Sequence, residues 1–169
     1  MALQLFKIAS TTVETPQSSI TFGSIPQGYT DLILKVSARG TGTAANQTAY
    51  LQFNGDTGAN YSCKYLYGDG ASAASATSTS YVFIGSAADN GATANTFNNG
   101  EVYVPNYTSS NYKSISTDVV RENNATSTYA TTTLYASLWT NTAAITSMTA
   151  YIFAGSFNTG STFTLYGVL

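Results

Sequence analysis

The sequence predicts an all-β protein, a single antiparallel β-sandwich of jelly-roll type with about ten strands. Apolar and polar residues alternate with a period of two in at least eight segments, which is typical of half-buried strands. Turns rich in Gly, Asn and Ser separate these segments at short intervals, and no segment has a sustained helical period. With 169 residues and no linker-like segment, the chain is expected to form one domain, residues 1–169.

The first half of the chain contains five predicted strands. The clearest one, at 30–39, has an apolar face that consists of Leu32, Leu34, Val36 and Ala38. The segment 49–56 places Leu51 and Phe53 inward and ends on Asn54-Gly55, a strong turn dipeptide. The other three predicted strands of this half are 3–9, 19–25 and 60–70.

The second half contains six further segments rich in β-branched and aromatic residues, at 78–86, 101–107, 112–121, 131–140, 144–155 and 161–169. The Ala-rich stretch 70–80 is predicted to be a flexible loop, because Ser, Thr and Gly interrupt it and Ala is its only apolar residue. The remaining long polar loops are predicted at 40–48, 87–100 and 121–128.

Charge is absent from the last part of the chain, since residues 123–169 contain no Asp, Glu, Lys or Arg. Two interpretations fit this pattern: the segment supplies central strands with little exposed surface, or it faces a partner. We expect central strands, with four side chains in the core: Leu134, Leu138, Ile152 and Phe153.

Composition excludes several classes of function. Only 8% of residues are charged, and Ser, Thr and Asn (20, 27 and 13 residues) fill the polar positions instead. With a net charge of −2 and six Lys and Arg residues, no basic patch for nucleic acid is expected. No apolar run reaches the length of a membrane helix, and the N-terminus is unlike a signal peptide. The single Cys63 excludes an internal disulfide and fits a protein made in a reducing cytoplasm.

Catalysis is not expected from these residues. The chain has no histidine, which removes the commonest general base and zinc ligand. Cys63 lies in mid-strand among tyrosines and is predicted to be a small buried hydrophobe. Of the acids, Asp56 and Asp69 lie in the turn sequences NGDTG and YGDGA, where a carboxylate accepts local hydrogen bonds. The sequence therefore predicts no enzyme, no cofactor and no metal site.

Two groups of residues are candidates for contacts with other molecules. The N-terminal segment 1–10 is predicted to be an arm that inserts into a neighbour or an ordinary first strand, with apolar residues on both of its faces: Leu3, Leu5, Phe6 and Ile8. Tyr107 and Tyr112 flank a turn between two predicted strands and are predicted to be exposed.

Several stretches together resemble a family of small structural proteins of tailed bacteriophages, especially marine and cyanobacterial ones. They include SITFGSIPQGYTDLILKVSARG, LQFNGDTGANYSCKYLYGDG, VYVPNYTSSNYKSISTDVVRENNAT, WTNTAAITSM and the terminal STFTLYGVL, and the likeness covers roughly residues 19–169. The resemblance implies a component of the virion that is made in the host cytoplasm.

The expected function is that of a capsid decoration (cement) protein on the particle exterior. Its partners would be copies of itself, as a trimer or another cyclic oligomer, and other virion proteins such as the major capsid protein. The alternative is a tail-fibre or head-fibre module that binds host-surface glycans through loops bearing Tyr and Asn.

Overall fold

The computed structural model of the protein describes residues 4–78, 81–123 and 130–169. Twelve strands lie in these ranges and form two antiparallel sheets, so the all-β sandwich prediction is confirmed with slightly more strands than expected. The described residues contain no helix, and therefore none long and apolar enough to cross a membrane.

The larger sheet has eight strands in the order β1-β12-β3-β8-β9-β10-β5-β6. In chain order they are β1 (Leu5–Thr12), β3 (Asp31–Ala38), β5 (Tyr61–Gly68), β6 (Ala73–Ser78), β8 (Asn98–Val104), β9 (Lys113–Arg121), β10 (Thr131–Trp139) and β12 (Thr162–Val168). Strands β8 and β9 are paired neighbours joined by the turn that follows Pro105, so the hairpin expected in this region is present.

The smaller sheet has four strands in the order β2-β11-β4-β7. They are β2 (Ser19–Phe22), β4 (Asn46–Phe53), β7 (Val82–Ala88) and β11 (Met148–Ile152). Sheets of eight and four strands do not by themselves confirm the jelly-roll connectivity. The unequal sizes have a structural consequence, because four strands cannot cover the whole inner face of eight.

The core lies between the two sheets and forms one hydrophobic cluster. Its members include the predicted inward faces of β3 and β4, both fully buried or nearly so: Leu32, Leu34, Val36, Ala38, Leu51 and Phe53. Asn54 and Gly55 follow β4 with positive φ angles of 53° and 68°, as the turn dipeptide predicts. The alternation of these apolar residues was therefore a reliable guide to one buried face of each strand, although Ile33 on the other face of β3 is buried as well.

A bulge in β7 brings the smaller sheet close to the larger one. The register between β4 and β7 shifts between Ala49 and Tyr50, and Gly85 at this point has a φ of 97°. A Cβ at Gly85 would lie 2.3 Å from Cγ1 of Val119 on β9. Only glycine fits both the positive φ and this close approach, so Gly85 allows β7 to pack directly onto β9.

The charge-free segment supplies central strands, as predicted. Each of β10, β11 and β12 lies between two other strands of its sheet. Of the four predicted core residues, Ile152 is buried and Leu138 is half-buried. The prediction is wrong for Leu134 and Phe153, whose side chains are 54% and 70% exposed, and Leu138, on the same face of β10 as Leu134, is not a core residue either.

The error at Leu134 has a physical cause in the register of β10. Trp139 belongs to the opposite face of this strand from Leu134, and Trp139 is completely buried against the smaller sheet. With Trp139 turned inward, the alternation of the strand places Thr133 and Ser137 inward and Leu134 outward. The burial of the largest side chain thus determines the register, although Leu, Ala and Leu form the more apolar face.

The predicted loops are shorter than expected. The stretch predicted as a loop at 70–80 contains β6, which pairs with β5 at the edge of the larger sheet. Likewise β4 begins at Asn46 and β8 at Asn98, inside two other predicted loops. Backbone pairing with a neighbouring strand satisfies the hydrogen bonds of these segments although their side chains are small and polar.

Candidate functional site

An aromatic band runs from the outer face of the smaller sheet, around its β7 edge, to the inner face of the larger sheet. On the smaller sheet, the ring centroids of Tyr151 and Tyr50 are 5.4 Å apart, and those of Tyr50 and Tyr81 are 4.1 Å apart. Tyr81 contacts Phe83 edge-on at 6.4 Å. We define the aromatic band as the seven partly exposed rings in this series: Tyr50, Tyr65, Tyr67, Tyr81, Phe83, Tyr135 and Tyr151.

Phe83 connects the two sheets. Its ring stacks on Tyr135 at 5.7 Å and lies 6.3 Å from Tyr65, and these two tyrosines are neighbours on β10 and β5. The ring of Tyr65 is in turn 5.3 Å from Tyr135 and 6.1 Å from Tyr67. Here β7 packs mainly over β8 and β9 and covers β10 and β5 less. The inner face of β5 and β10 consequently remains accessible beside the β7 edge.

A cleft of about 300 Å³ opens at this place. We call it the aromatic cleft and define it by its lining residues: Asn46, Thr48, Tyr65, Tyr67, Phe83, Ser86, Arg121, Thr131, Thr133 and Tyr135. Aromatic rings form one part of its wall, and hydroxyl and amide side chains form most of the rest. Such a mixture of apolar faces and a few polar groups is typical of sites for small ligands.

Two tyrosines of the band, Tyr50 and Tyr135, have a pKa above the ordinary value. Burial raises the pKa of Tyr135 to about 12, and the neighbouring Cys63 and Tyr65 act in the same direction, while a hydrogen bond with Thr133 and the charge of Arg121 oppose the rise. Burial and the neighbouring Tyr81 and Tyr151 also raise the pKa of Tyr50. At neutral pH these two side chains are therefore uncharged.

The outer face of the larger sheet, which is turned away from the smaller sheet, has an exposed apolar patch. Leu134 on β10 pairs directly with Leu66 on β5, and Val120 on β9 is close to Leu134 on the same face. These side chains are 54%, 55% and 41% exposed. We call these three residues the outer-face patch. Shallow depressions of about 540 and 570 Å³ flank it, and Leu134 lines both.

Charged residues border the outer-face patch: Lys64 is two positions before Leu66 on the same face of β5, and an ion pair lies on the β8 side. The Lys35 ammonium group is 2.5 Å from Oε2 of Glu101 on the neighbouring strand, and both side chains are about half exposed. Glu101 pairs across the sheet with Asp118, and Asp118 pairs with Leu134. One row of cross-strand neighbours thus changes from ionic to apolar along the sheet.

The N-terminal residues predicted for contacts belong to an edge strand of the chain's own larger sheet. β1 pairs with β12, so the structure agrees with the alternative of an ordinary first strand. Leu5 and Phe6 are exposed, and the Phe6 ring lies 5.9 Å from that of Tyr29. Ile8 packs against the core, and Leu3 lies outside the described residues.

The two predicted contact tyrosines differ completely. Tyr112 is 58% exposed, as expected for a contact residue. Tyr107, in contrast, is fully buried, and its hydroxyl group donates a hydrogen bond to the carbonyl of Pro26. The expectation of an exposed Tyr107 is therefore wrong, because the turn after β8 folds back over the end of the core.

The turn acids accept local hydrogen bonds, as their sequence contexts predict. Asp69 accepts bonds from the backbone of Ala71 and Ser72, and these bonds lower its pKa. Asp56 accepts bonds from the Gly58 backbone and from Nε1 of Trp139 at 2.8 Å. Burial opposes the ionisation of Asp56, but hydrogen bonds from Trp139 and its other neighbours outweigh that effect and lower its pKa.

Cys63 is buried, as predicted, on the inner face of β5. Burial raises the pKa of its thiol. A raised pKa leaves little reactive thiolate at neutral pH, which fits a structural role.

A buried cation closes the end of the sandwich near Trp139. The ammonium group of Lys113 donates hydrogen bonds to the carbonyl oxygens of Ser109, Asn111 and Ala143 at 2.7–2.8 Å. It also lies 5.6 Å from the centroid of the Trp139 ring. Burial lowers the pKa of Lys113. These contacts attach two loops to the end of β9.

Sequence reasoning missed the residues of the aromatic cleft. The sequence did contain part of the information that indicates an aromatic cleft: the chain has thirteen tyrosines, and Tyr65 and Tyr67 share one face of the predicted strand 60–70. Tyr135 was expected on the face of its strand opposite Leu134, but nothing in the sequence indicated that Phe83, from the other sheet, would contact Tyr135.

The chain matches no family model, no curated protein and no solved structure.

Proposed function

We propose that the protein is a non-enzymatic structural protein of a bacteriophage particle, a decoration protein that binds the exterior of the capsid. The resemblance of its sequence stretches to virion proteins suggests the particle. The observation that supports a role in binding other proteins is the outer-face patch, in which Leu66, Val120 and Leu134 are exposed in the middle of a sheet. Contiguous exposed apolar side chains on a folded domain are typical of interaction surfaces.

The surroundings of the patch suit a contact with a large protein partner. On the β6 side the margin is polar, with Ser75 next to Leu66 and the exposed Lys64 two residues before Leu66 on the same face; Thr132 is next to Val120. The ionic groups Lys35, Glu101 and Asp118 lie together on the other side. An apolar centre with a polar margin is the usual arrangement of protein interfaces. We assign the partners to the major capsid protein and to further copies of this chain.

A structural role is also consistent with the use of the acids and of Cys63. Asp56 and Asp69 accept turn hydrogen bonds, and Glu101 is paired with Lys35. The thiol of Cys63 is buried between the sheets. Each of these groups therefore has a role in the fold that requires no chemistry.

The first test is the number of copies per particle, measured by quantitative mass spectrometry of purified virions. A decoration protein is expected in hundreds of copies, because capsid symmetry repeats its binding site. Tens of copies or fewer would contradict the proposal and favour the alternative of a fibre module that binds host-surface glycans. Absence from the purified virion would contradict both.

The second test measures binding of the recombinant protein to particles that lack it. The double variant Leu66→Ser, Leu134→Ser is expected to lose most of the binding, because it removes the apolar centre of the contact. The control is the double variant Leu5→Ser, Phe6→Ser, which changes exposed apolar residues on the edge strand β1. If only the control variant loses binding, β1 is the contact and the outer-face patch is not.

A further inference from the structure

The aromatic cleft suits a ligand that has flat, weakly polar faces and many hydroxyl groups. We infer that it binds a short segment of an uncharged saccharide, whose sugar ring stacks on the aromatic walls. This inference goes beyond the decoration role and is independent of it, because the cleft and the outer-face patch are on different parts of the molecule. It assigns the site to specific residues, and its central rings are Tyr65, Phe83 and Tyr135.

The aromatic walls supply the apolar part of the site. Phe83 and Tyr135 are nearly parallel, with 18° between their planes, and Tyr65 and Tyr67 continue the wall along β5. All four rings are partly exposed, so part of their surface remains available to a ligand. The C–H groups on one face of a sugar ring carry partial positive charge, and the face of an aromatic ring is negative, which favours stacking between them.

The polar margin supplies hydrogen-bonding groups. Asn46, Thr48, Ser86 and Thr131 line the cleft beside the rings. Their side chains form no hydrogen bond with any other part of the chain that the structure describes. Hydroxyl and amide groups are both donors and acceptors, as the hydroxyl groups of a sugar are. A ligand with many hydroxyl groups would satisfy several of them together.

Charged groups contribute little to the surface of the cleft. Among the described residues that line it, Arg121 is the one charged group, and only 4% of its surface is exposed. Single-stranded nucleic acid also stacks on aromatic rings, but it requires a positively charged groove along its backbone. None of the described residues that line the cleft is an Asp or Glu whose carboxylate would attract a cation. Neither a nucleic acid nor a metal ion therefore fits it as well as a neutral sugar.

The size of the cleft favours a small ligand over a protein surface. A volume of about 300 Å³ is at the lower end of the range of small-ligand sites. A stable protein interface instead requires roughly 800 Å² on each partner. The cleft therefore accommodates one or a few sugar rings, while the rest of the aromatic band, Tyr81, Tyr50 and Tyr151, continues along the surface in the direction a longer chain could follow.

The experiment uses the full chain and a panel of neutral hexasaccharides of glucose, N-acetylglucosamine, mannose and galactose. Binding is measured by nuclear magnetic resonance titration of the 17.7 kDa protein, up to about 10 mM sugar. At least one member of the panel is expected to bind and to shift the amide signals of β5, β7 and β10 selectively. No binding by any member of the panel would overturn the inference.

Two variants locate the site. Tyr67→Ala removes one wall, and Thr48→Val removes a hydroxyl group at nearly constant shape. Tyr67→Ala is expected to weaken binding by about tenfold. The control is Tyr112→Ala, which removes an exposed tyrosine outside the cleft and is expected to leave the affinity unchanged. Unchanged affinity in both cleft variants would also overturn the inference. If Tyr67→Ala does not fold, the affinity of Thr48→Val for the sugar and the positions of the shifted amide signals show whether the cleft is the binding site.

The two proposals fail separately in these tests. Both cleft variants are expected to bind particles normally, whereas the Leu66→Ser, Leu134→Ser variant is expected to bind sugar normally. Loss of sugar binding with retained particle binding supports the cleft as a separate site. Binding of an anionic polysaccharide such as heparin, together with no binding of the neutral panel, would contradict the assignment of an uncharged ligand.

Discussion

The same pair of strands, β5 and β10, has two different ends. At one end Trp139 pairs with Tyr61, and both are buried under Phe53 of the smaller sheet, with ring distances of 5.4–6.5 Å. Four residues along each strand, Tyr135 pairs with Tyr65, and both remain partly exposed in the aromatic cleft. We call the first group the closed end and the second the open end.

The two ends differ in how far the smaller sheet covers them and not in their amino-acid composition. Both ends carry large aromatic side chains on the inner face of the larger sheet. Strand β4 places Phe53 over the closed end, while the edge strand β7 contributes Phe83 to one side of the open end. Aromatic residues on an inner sheet face therefore become core or binding surface according to how far the second sheet extends.

The largest expected effect is that of Trp139→Ala at the closed end. The change removes a fully buried ring and leaves a cavity, so the free energy of unfolding should fall by about 3–5 kcal/mol. Denaturant titration measures the loss. The control, Leu134→Ala on the same strand but on the exposed face, should change it by less than about 0.5 kcal/mol. Equal losses for both variants would contradict the observed register of β10.

The next effect is that of Lys113→Met, which keeps the side-chain volume but removes the buried ammonium group. Three carbonyl oxygens would lose a charged donor, and the expected loss is about 1.5–3 kcal/mol. In the control variant Lys35→Met, an exposed ion pair is lost at a cost of about 0–1 kcal/mol. A smaller loss of unfolding free energy for Lys113→Met than for Lys35→Met would mean that the hydrogen bonds of Lys113 do not stabilise this end of the sandwich.

Alkaline pH tests both ends together. Burial raises the pKa of Tyr61 to about 12, although its hydrogen bond with the Phe53 backbone opposes the rise, and burial likewise raises that of Tyr135 to about 12. Because the folded pKa exceeds the ordinary value near 10, this contribution to stability is complete below about pH 10 and is lost as the pH rises through about 12. Stability measured across this range should decline less steeply in Tyr61→Phe and Tyr135→Phe than in the unchanged protein.

A steep alkaline loss that persists in the Tyr61→Phe, Tyr135→Phe double variant would show that other groups cause it. Spectrophotometric titration of the phenol groups provides an independent measure, because burial raises the pKa of Tyr61 and of Tyr135 to about 12.

The smallest effect is expected for Tyr67→Ala at the open end. Tyr67 is partly exposed and has cover on one side only, so its removal should cost about 1 kcal/mol or less. Thermal unfolding followed by circular dichroism measures it beside Trp139→Ala. A loss as large as that of Trp139→Ala would indicate that the open end is part of the core, and the aromatic cleft would then not be a ligand site.

The sequence was a reliable guide wherever one face of a strand is clearly more apolar than the other. In β3 the residues Leu32, Leu34 and Val36 share one face and each is buried as expected, while the other face combines Ile33 with Lys35 and Ser37. In β10 both faces carry large apolar side chains, so the pattern was ambiguous and Leu134 was assigned to the wrong face. The difference is physical, because alternation specifies a register only when the two faces differ in the apolar area that they can bury.

Other errors came from contacts between distant parts of the chain. The burial of Tyr107 depends on the carbonyl of Pro26, eighty-one residues away in sequence. Strand β6 forms from Ala, Ser and Thr because the edge of β5 offers it backbone partners. No local pattern records either of these partners.

The sequence by itself determined the all-β class, the central position of the charge-free strands and the turn roles of Asp56 and Asp69. Each of these depends on residues close together in sequence, or on the lack of charge in a whole segment. Only the tertiary structure decided which aromatic rings are core and which line the cleft. That choice depends on where the four-stranded sheet ends over the eight-stranded one, and on the close approach of β7 to β9 at Gly85, which are long-range packing relations.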